Sequence, residues 1–164
     1  MKHFNTNKTE GFKNKLKRFG FNRIPAVRGT GAFVTFISDD WKEVHVKLPL
    51  SWRTRNYVGT VFGGSIYASV DPIYMIQFLK ILGDDYVVWD KSATIKFRKP
   101  ITKTVYARFL ISDTQVEEII EIVKEKQTLD IDLPVVYEDK EGVVYASISK
   151  KIYIASKEYY KNRK

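Results

Sequence analysis

From residue 42 to 48 the chain alternates. Val44, Val46 and Leu48 are separated by Glu43, His45 and Lys47, the period of a strand with one buried and one wet face. On this pattern His45 falls on the wet face. Similar strands are expected at 31–38, 104–111, 131–138 and 143–155, and at 92–98, where Ala93, Ile95 and Phe97 alternate with Thr94, Lys96 and Arg98. The last strand, at about a dozen residues, is roughly twice the usual length, so it must curl around something. Asp39-Asp40 and the run Glu138 to Gly142 supply turns.

The period lengthens to that of a helix in three places. At 9–19 the apolar residues are Phe12, Leu16 and Phe19, with lysines between them, and a helix there is expected to dock on the sheet, with a membrane-surface helix as the alternative. Pro25 and Gly29 then break the chain. At 115–126, Val116, Ile119, Ile120 and Val123 form a stripe. Thr114 with Glu117 reads as its capping box, and Lys124 and Lys126 suit its C-terminal end. The third helical stretch starts near residue 60. The order is strand, strand, helix, strands, with no internal repeat or linker. The expectation is one α+β domain over 30–156, preceded by a basic helix and connector at 1–29 and followed by a basic tail at 157–164.

Composition narrows the class. The 164 residues, 44% of them hydrophobic, can bury a single core, and the absence of cysteine excludes disulfides, thiolate metal sites and a cysteine nucleophile. No apolar core of a signal peptide follows the polar start. The most apolar stretch, 61–82, is interrupted by Asp71, Pro72, Gln77 and Lys80, so a cytoplasmic chain without a membrane span is expected. The net charge of +9 is concentrated at the ends, with +7 in residues 1–28 and +3 in 157–164, which leaves −1 between them. Solvated lysine-rich ends explain this, and so would peripheral contact with a membrane surface or another anionic partner. Tyr145, Tyr153, Tyr159 and Tyr160 among lysines are ordinary strand and tail residues, so nucleic acid is not the expected partner. No His, Asp and Glu spacing suggests a metal site.

The candidate chemistry lies in 55–80. Between Asn56 and Leu79 the only charged side chain is Asp71. A helix apolar nearly all round belongs inside a protein, and an ionisable group on it needs a partner or a purpose. Gly63 and Gly64 at its start would let a ligand approach the backbone, and the unpaired amides of a first turn can polarise a carbonyl oxygen. Asp71-Pro72 is equally a good N-cap and N1 pair, so Asp71 has a structural role open to it alongside a chemical one. Ser65 and Ser69 have no histidine nearby in sequence to activate them. Gly29-Thr30-Gly31 lacks the context of a dinucleotide fingerprint.

Asn56, Gly59, Gly63, Gly64 and Asp71, ahead of and within a buried helix, stand at spacings that resemble the PaaI-like branch of the hotdog thioesterases. The similarity extends over most of 30–156, and Arg53-x-Arg55-Asn56 with Asp71-Pro72 resembles an uncharacterised thioesterase-like subgroup of that superfamily. The resemblance implies a hotdog fold, a long curved antiparallel sheet around one central helix, in a homodimer or homotetramer with composite sites. It implies an acyl thioester of coenzyme A, or a related pantetheine, as substrate and no other cofactor. The Gly63 or Gly64 amide would form an oxyanion hole, Asp71 would be base or nucleophile, and Asn56 would orient the reacting groups. Gly59 and Phe62 would line the substrate site, and Arg53, Arg55, Lys96, Arg98 and Lys99 are candidates for the nucleotide phosphates. About seven residues, or roughly 10 Å of helix, separate Gly64 from Asp71, so one copy's Asp71 would serve the other copy's glycines. The chain departs at Phe62, where relatives carry histidine, and neither His3 nor His45 is an evident replacement. A hotdog dehydratase is disfavoured for the same reason. The alternative function is a non-catalytic module that binds or senses the acyl thioester.

Overall fold

The computed structural model describes residues 4–162. Strands β1 (Phe33–Ile37), β2 (Glu43–Leu48), β3 (Tyr86–Phe97), β4 (Val105–Leu110), β5 (Thr128–Glu138) and β6 (Val144–Ser156) form one sheet. It is antiparallel throughout, in the order β1-β2-β4-β5-β6-β3. The long strands β3, β5 and β6 pair along nearly their whole length, whereas β4 and β5 share only the Tyr106–Glu138 pairing, so the sheet is held through a narrow seam at its middle.

Across one face of this sheet lie α3 (Gly63–Val70) and α4 (Ile73–Leu82). Ile66, Val70, Ile73, Tyr74 and Phe78 of these helices meet Val46, Leu48, Val105, Phe109, Val135, Ile148 and Ile152 in a single buried core. Three hydroxyls are satisfied there: Tyr74 donates to the Pro134 carbonyl at 2.7 Å, and the Ser69 and Tyr137 hydroxyls share a bond of 2.7 Å. This is the expected α+β hotdog arrangement, with two adjustments. The central rod is bent at Asp71-Pro72, and α3 turns one face, with Gly64, Tyr67 and Ala68, away from the core.

The remaining helices flank the sheet. The helix α1 (Phe12–Phe21) is followed by a short α2 (Pro25–Thr30), where Pro25 and Gly29 were expected only to break the chain. Pro25 instead starts the helix, and Gly31, with φ of 77°, stops it. The helix α5 (Asp113–Lys126) is capped one step earlier than expected. Ser112 and Gln115 form its capping box, not Thr114 and Glu117. The tail forms α6 (Lys157–Asn162).

The N-terminal segment packs on the sheet, as expected of it, but, apart from the ring of Phe21, largely through polar groups. Asn22 brackets Val34, donating to its carbonyl and accepting from its amide, both at 2.8 Å. Glu10 accepts from the Ile37 amide at 2.8 Å and is itself held by Arg18. Asn14, buried, donates to the Ser38 carbonyl at 2.9 Å. The outer edge of β1 is thereby occupied along much of its length. A free edge is a template for pairing with another chain, and here it is blunted by side chains.

Candidate functional site

The segment 49–62 is pinned before it reaches the glycines. Thr54, buried, donates to the Pro49 carbonyl and its backbone oxygen accepts from the Phe62 amide, each at 2.7 Å. Val61 donates to the Ile101 carbonyl, and Arg55 bridges to Val61. Inside that frame the Asn56 side chain ties a small loop: Oδ1 accepts from the amides of Val58 and Thr60, and Nδ2 donates to Thr60 Oγ1. Gly59 closes the loop with φ of 84°, a conformation that disfavours any side chain. Asn56 therefore shapes the site through the loop, with both ends of its amide engaged there.

Beyond the loop lies a groove of about 440 Å³. Asn56, Thr60, Gly63, Arg98 and Lys99 contribute its polar surface, and Val58, Ile66, Phe97 and Ile101 are among its apolar walls. The amides of Gly63 and Gly64 precede the first intrahelical bonds, which Ser65 and Ile66 donate to the Phe62 carbonyl. Two aromatic rings crowd this turn. A Cβ on Gly63 would stand 3.2 Å from the Phe97 ring, and one on Gly64 would stand 2.2 Å from the ring of Phe62. The ring of Phe62 thus folds back over the second glycine, and only glycine leaves room for it.

Asp71 is elsewhere, at the far end of α3. Its Oδ1 accepts from Lys150 Nζ at 3.1 Å, and the same ammonium lies 2.8 Å from Asp90 Oδ1. The Lys150 side chain is fully buried while that of Asp71 is 46% exposed. Lys150 stands on the core face of β6 between Ile148 and Ile152, opposite Ala93 of β3. Burial pushes the Asp90 carboxyl above the usual carboxylate range, against the pull of Lys150. For Lys150 burial acts downward, but Asp90 and Asp71 outweigh it and its pKa is raised. The ring of Tyr67 lies 5.6 Å from Nζ and completes the pocket of this cation. No residue caps α4 through a side chain, and the Asp71 backbone is right-handed helical, with φ −51° and ψ −56°. Asp71 continues the rod and holds Lys150 instead of capping a new helix.

Compared with known proteins, residues 13–154 match a family model described as a domain of unknown function, DUF4442. The chain belongs to the DUF4442 family. No curated protein sequence matches it. Among solved structures, a Pseudomonas aeruginosa protein described as a probable thioesterase superposes with a TM-score of 0.76 at 16% identity, covering 87% of this chain and 95% of its own. A Chlorobaculum tepidum protein of unknown function gives 0.68 at 15%, covering 87% and 93%. A Haemophilus influenzae thioesterase gives 0.61 at 15%, covering 91% and 93%. At these identities the likeness establishes the hotdog fold and nothing finer.

The remaining candidates of this DUF4442 chain divide. Arg98 and Lys99 line the groove with Gly63, whereas Arg53 lines a separate one, its guanidinium 4.9 Å above the Trp52 ring. Lys96 pairs with Ser147 and, by strand alternation, lies on the sheet face opposite Phe97 and the glycines. Arg55 is exposed beside its bridge to Val61. Ser65 is buried, and Ser69 donates to the Ile66 carbonyl. His45 corrects an expectation. It is buried, not wet, because the N-terminal segment covers its face of β2. Its Nε2 lies 2.6 Å from Glu43 Oε1, with the rings of Phe4 and Phe36 about it. Glu43 also accepts from Thr6 and Arg108. His3 lies outside the described residues. Among the described residues no three His, Asp or Glu side chains cluster as metal ligands.

Lys150 was missed at the sequence level, although a signal for it exists. In the row Ile148, Lys150, Ile152, Ile154 every second residue is buried, so a lysine within it is a charge on an apolar face that demands a partner.

Proposed function

We propose that this protein binds the acyl thioester of coenzyme A, or of a related pantetheine, in the groove at the start of α3, and hydrolyses it. The observation that carries this is the meeting of the helix start at Gly63, an apolar wall and two cations, Arg98 and Lys99, in one groove. The thioester oxygen would accept from the Gly63 or Gly64 amide, where the positive end of the helix stabilises developing negative charge. The acyl or pantetheine chain would lie along Val58, Ile66 and Phe97, and the phosphates would meet Arg98 and Lys99.

Hydrolysis needs a base, and Asp71 of a second copy is the candidate. The edge of β1 is occupied by the chain's own N-terminal segment, while among the described residues the backbone of β3 bonds to β6 alone. Beside that open edge lie exposed Trp89, Phe97 and Tyr67. A symmetric union of two β3 edges would cover these residues and bring Asp71 of one copy toward the glycines of the other. In the step proposed, Asp71 takes a proton from water as the water oxygen bonds to the carbonyl carbon. The tetrahedral oxyanion then collapses, the C–S bond breaks and the pantetheine thiolate leaves. Its low basicity, relative to an alkoxide, removes the need for a strong acid.

A second reading, binding without turnover, is favoured by one observation: Asp71 Oδ1 is already held by Lys150. Thiol release across acyl chain lengths distinguishes the two. Asp71→Asn is expected to lower kcat about 10²-fold to 10⁴-fold, the usual worth of a positioned base. Unchanged turnover removes Asp71 from the chemistry. Absent turnover, with an acyl thioester seen by mass spectrometry in gently purified protein, selects the binding module.

A further inference from the structure

Helix α1 is mounted inside out. Its buried residue is Asn14, and it meets the sheet through Asn14, Arg18 by way of Glu10, Asn22 just beyond it, and the ring of Phe21 at its last position. Phe12 is 80% exposed and Leu16 61%, and Phe19 completes the same stripe. An amphipathic helix on a globular protein ordinarily buries its apolar face. This one holds the sheet with polar side chains and the single ring of Phe21, and presents the stripe Phe12, Leu16 and Phe19 to the surroundings.

The stripe does not stop at the helix end. Phe19 shares the rim of an open groove of about 710 Å³ with Phe33 and Trp52, and Trp52 is 82% exposed. Exposed Ile24 follows on from Phe19 along the chain. The cations Lys15, Arg23, Arg28 and Arg53 line the same groove. Arg23 stacks on the Phe19 ring at 3.3 Å and Arg53 on that of Trp52 at 4.9 Å. Acids are sparse around them, with Asp39 close enough to act on Lys15. Residues 11–38 hold six Lys or Arg and no Asp or Glu, and residues 44–70 hold no acid either. The nearest carboxylates are already engaged: Glu10 with Arg18, Asp39 with Thr9 and the Gly11 amide, and Asp40 with Lys8.

From this juxtaposition we propose that the outward face of α1, continued by Phe33 and Trp52, docks on an anionic lipid bilayer. Large apolar side chains that protrude between lysines and arginines fit the interface of such a bilayer, rings and Leu16 entering the acyl boundary and cations meeting the headgroups. A second copy of the chain is a poor occupant, because a two-fold contact would press the same cations together. A soluble nucleotide is a poor one too, since Phe12 and Leu16 extend the stripe beyond the groove. The face belongs to the β1 end of the sheet, at the opposite end of the strand order from the open β3 edge, so docking leaves that edge free. It also lies beside the central helix, against which α2 packs.

The test is sedimentation of the full chain with vesicles of phosphatidylcholine alone and of phosphatidylcholine mixed with phosphatidylserine. Binding about tenfold or more tighter to the mixed vesicles, weakening with added salt and accompanied by a blue shift of tryptophan emission, is expected. The double variant Leu16→Glu, Phe19→Glu, at exposed positions and checked for unchanged circular dichroism, is expected to lose that binding. Equal affinity for the two vesicles, no binding to either, or unaltered binding of the double variant overturns the proposal. So does displacement of bound protein by ADP, which would assign the groove to a nucleotide. A change in the lipid-free sedimentation coefficient of the double variant overturns it in favour of self-association.

Discussion

At the scale of single residues, charge burial decides most. Lys150 has no water to fall back on, so it holds two carboxylates on different elements, Asp90 on β3 and Asp71 on the central rod. Lys150→Met leaves both acids near one another without a counter-charge. A loss of about 3 kcal/mol is expected, at the low end for a broken buried pair because Asp71 keeps part of its hydration. Urea unfolding measures it. Asp139 gives a pH signature. Burial acts to raise its carboxyl, but the Val143 and Glu141 amides, the Tyr145 hydroxyl and Lys103 outweigh that and hold it at about 2. In an unfolded chain an aspartate titrates near about 3.9. The unfolded state therefore takes up the proton first as pH falls, so the stabilisation is complete above about pH 4 and disappears toward pH 2. A Tm series over that window should fall steeply for the native chain, and Asp139→Asn should start lower and fall less.

Elements follow local rules until a tertiary partner overrides them. The helix α5 obeys them: Ser112 accepts from the Gln115 amide at 3.0 Å and Gln115 returns the bond at 2.9 Å. Ser112→Ala should cost about 1 kcal/mol in thermal or chemical unfolding and leave thiol release unaltered. Two overlapping box patterns, starting at Ser112 and at Thr114, are written in the sequence, and the chain uses the earlier. The bend at Asp71-Pro72 departs from the cap pattern. Proline removes the donor that the Ala68 carbonyl would have used, yet the backbone stays helical, since an N-cap needs extended dihedrals that Asp71 does not adopt. The start of β3 was hidden by a bulge. Between Asp90 and Ser92 the register shifts, so the period of two is legible only from residue 92 onward.

For the whole molecule, the asymmetry of the sheet's edges is the controlling feature. The β1 edge is covered by Glu10 and Asn22, and among the described residues the backbone of the twelve-residue β3 pairs with β6 alone. Light scattering should give twice the 19.1 kDa chain mass if two copies join there. Trp89→Asp, a charge beside that edge, should weaken the association about tenfold or more and reduce thiol release in step, because the proposed site needs both copies. Among the described residues no helix is long and apolar enough to cross a membrane.

Much of this was fixed by order along the chain. The alternation of β2 and the apolar run after Gly63 determined strands and central helix, because periodicity and turn chemistry are local properties, and the resemblance carried by the glycine spacing implied the hotdog class. Asn56, Gly63, Arg98 and Lys99 were also legible as candidates, and folding gathered them into one groove. What sequence could not decide was every matter of cover and of partner. His45 is dry because a segment some forty residues earlier lies over it, and Phe12 and Leu16 are exposed because Asn22 found a backbone partner on β1 and Asn14 one just past its end, at Ser38. Lys150 could be read as an anomaly in an apolar row, but its two carboxylates come from positions 60 and 79 residues away. Alternation tells which side of an element a residue takes, and only the packed chain determines what is waiting there.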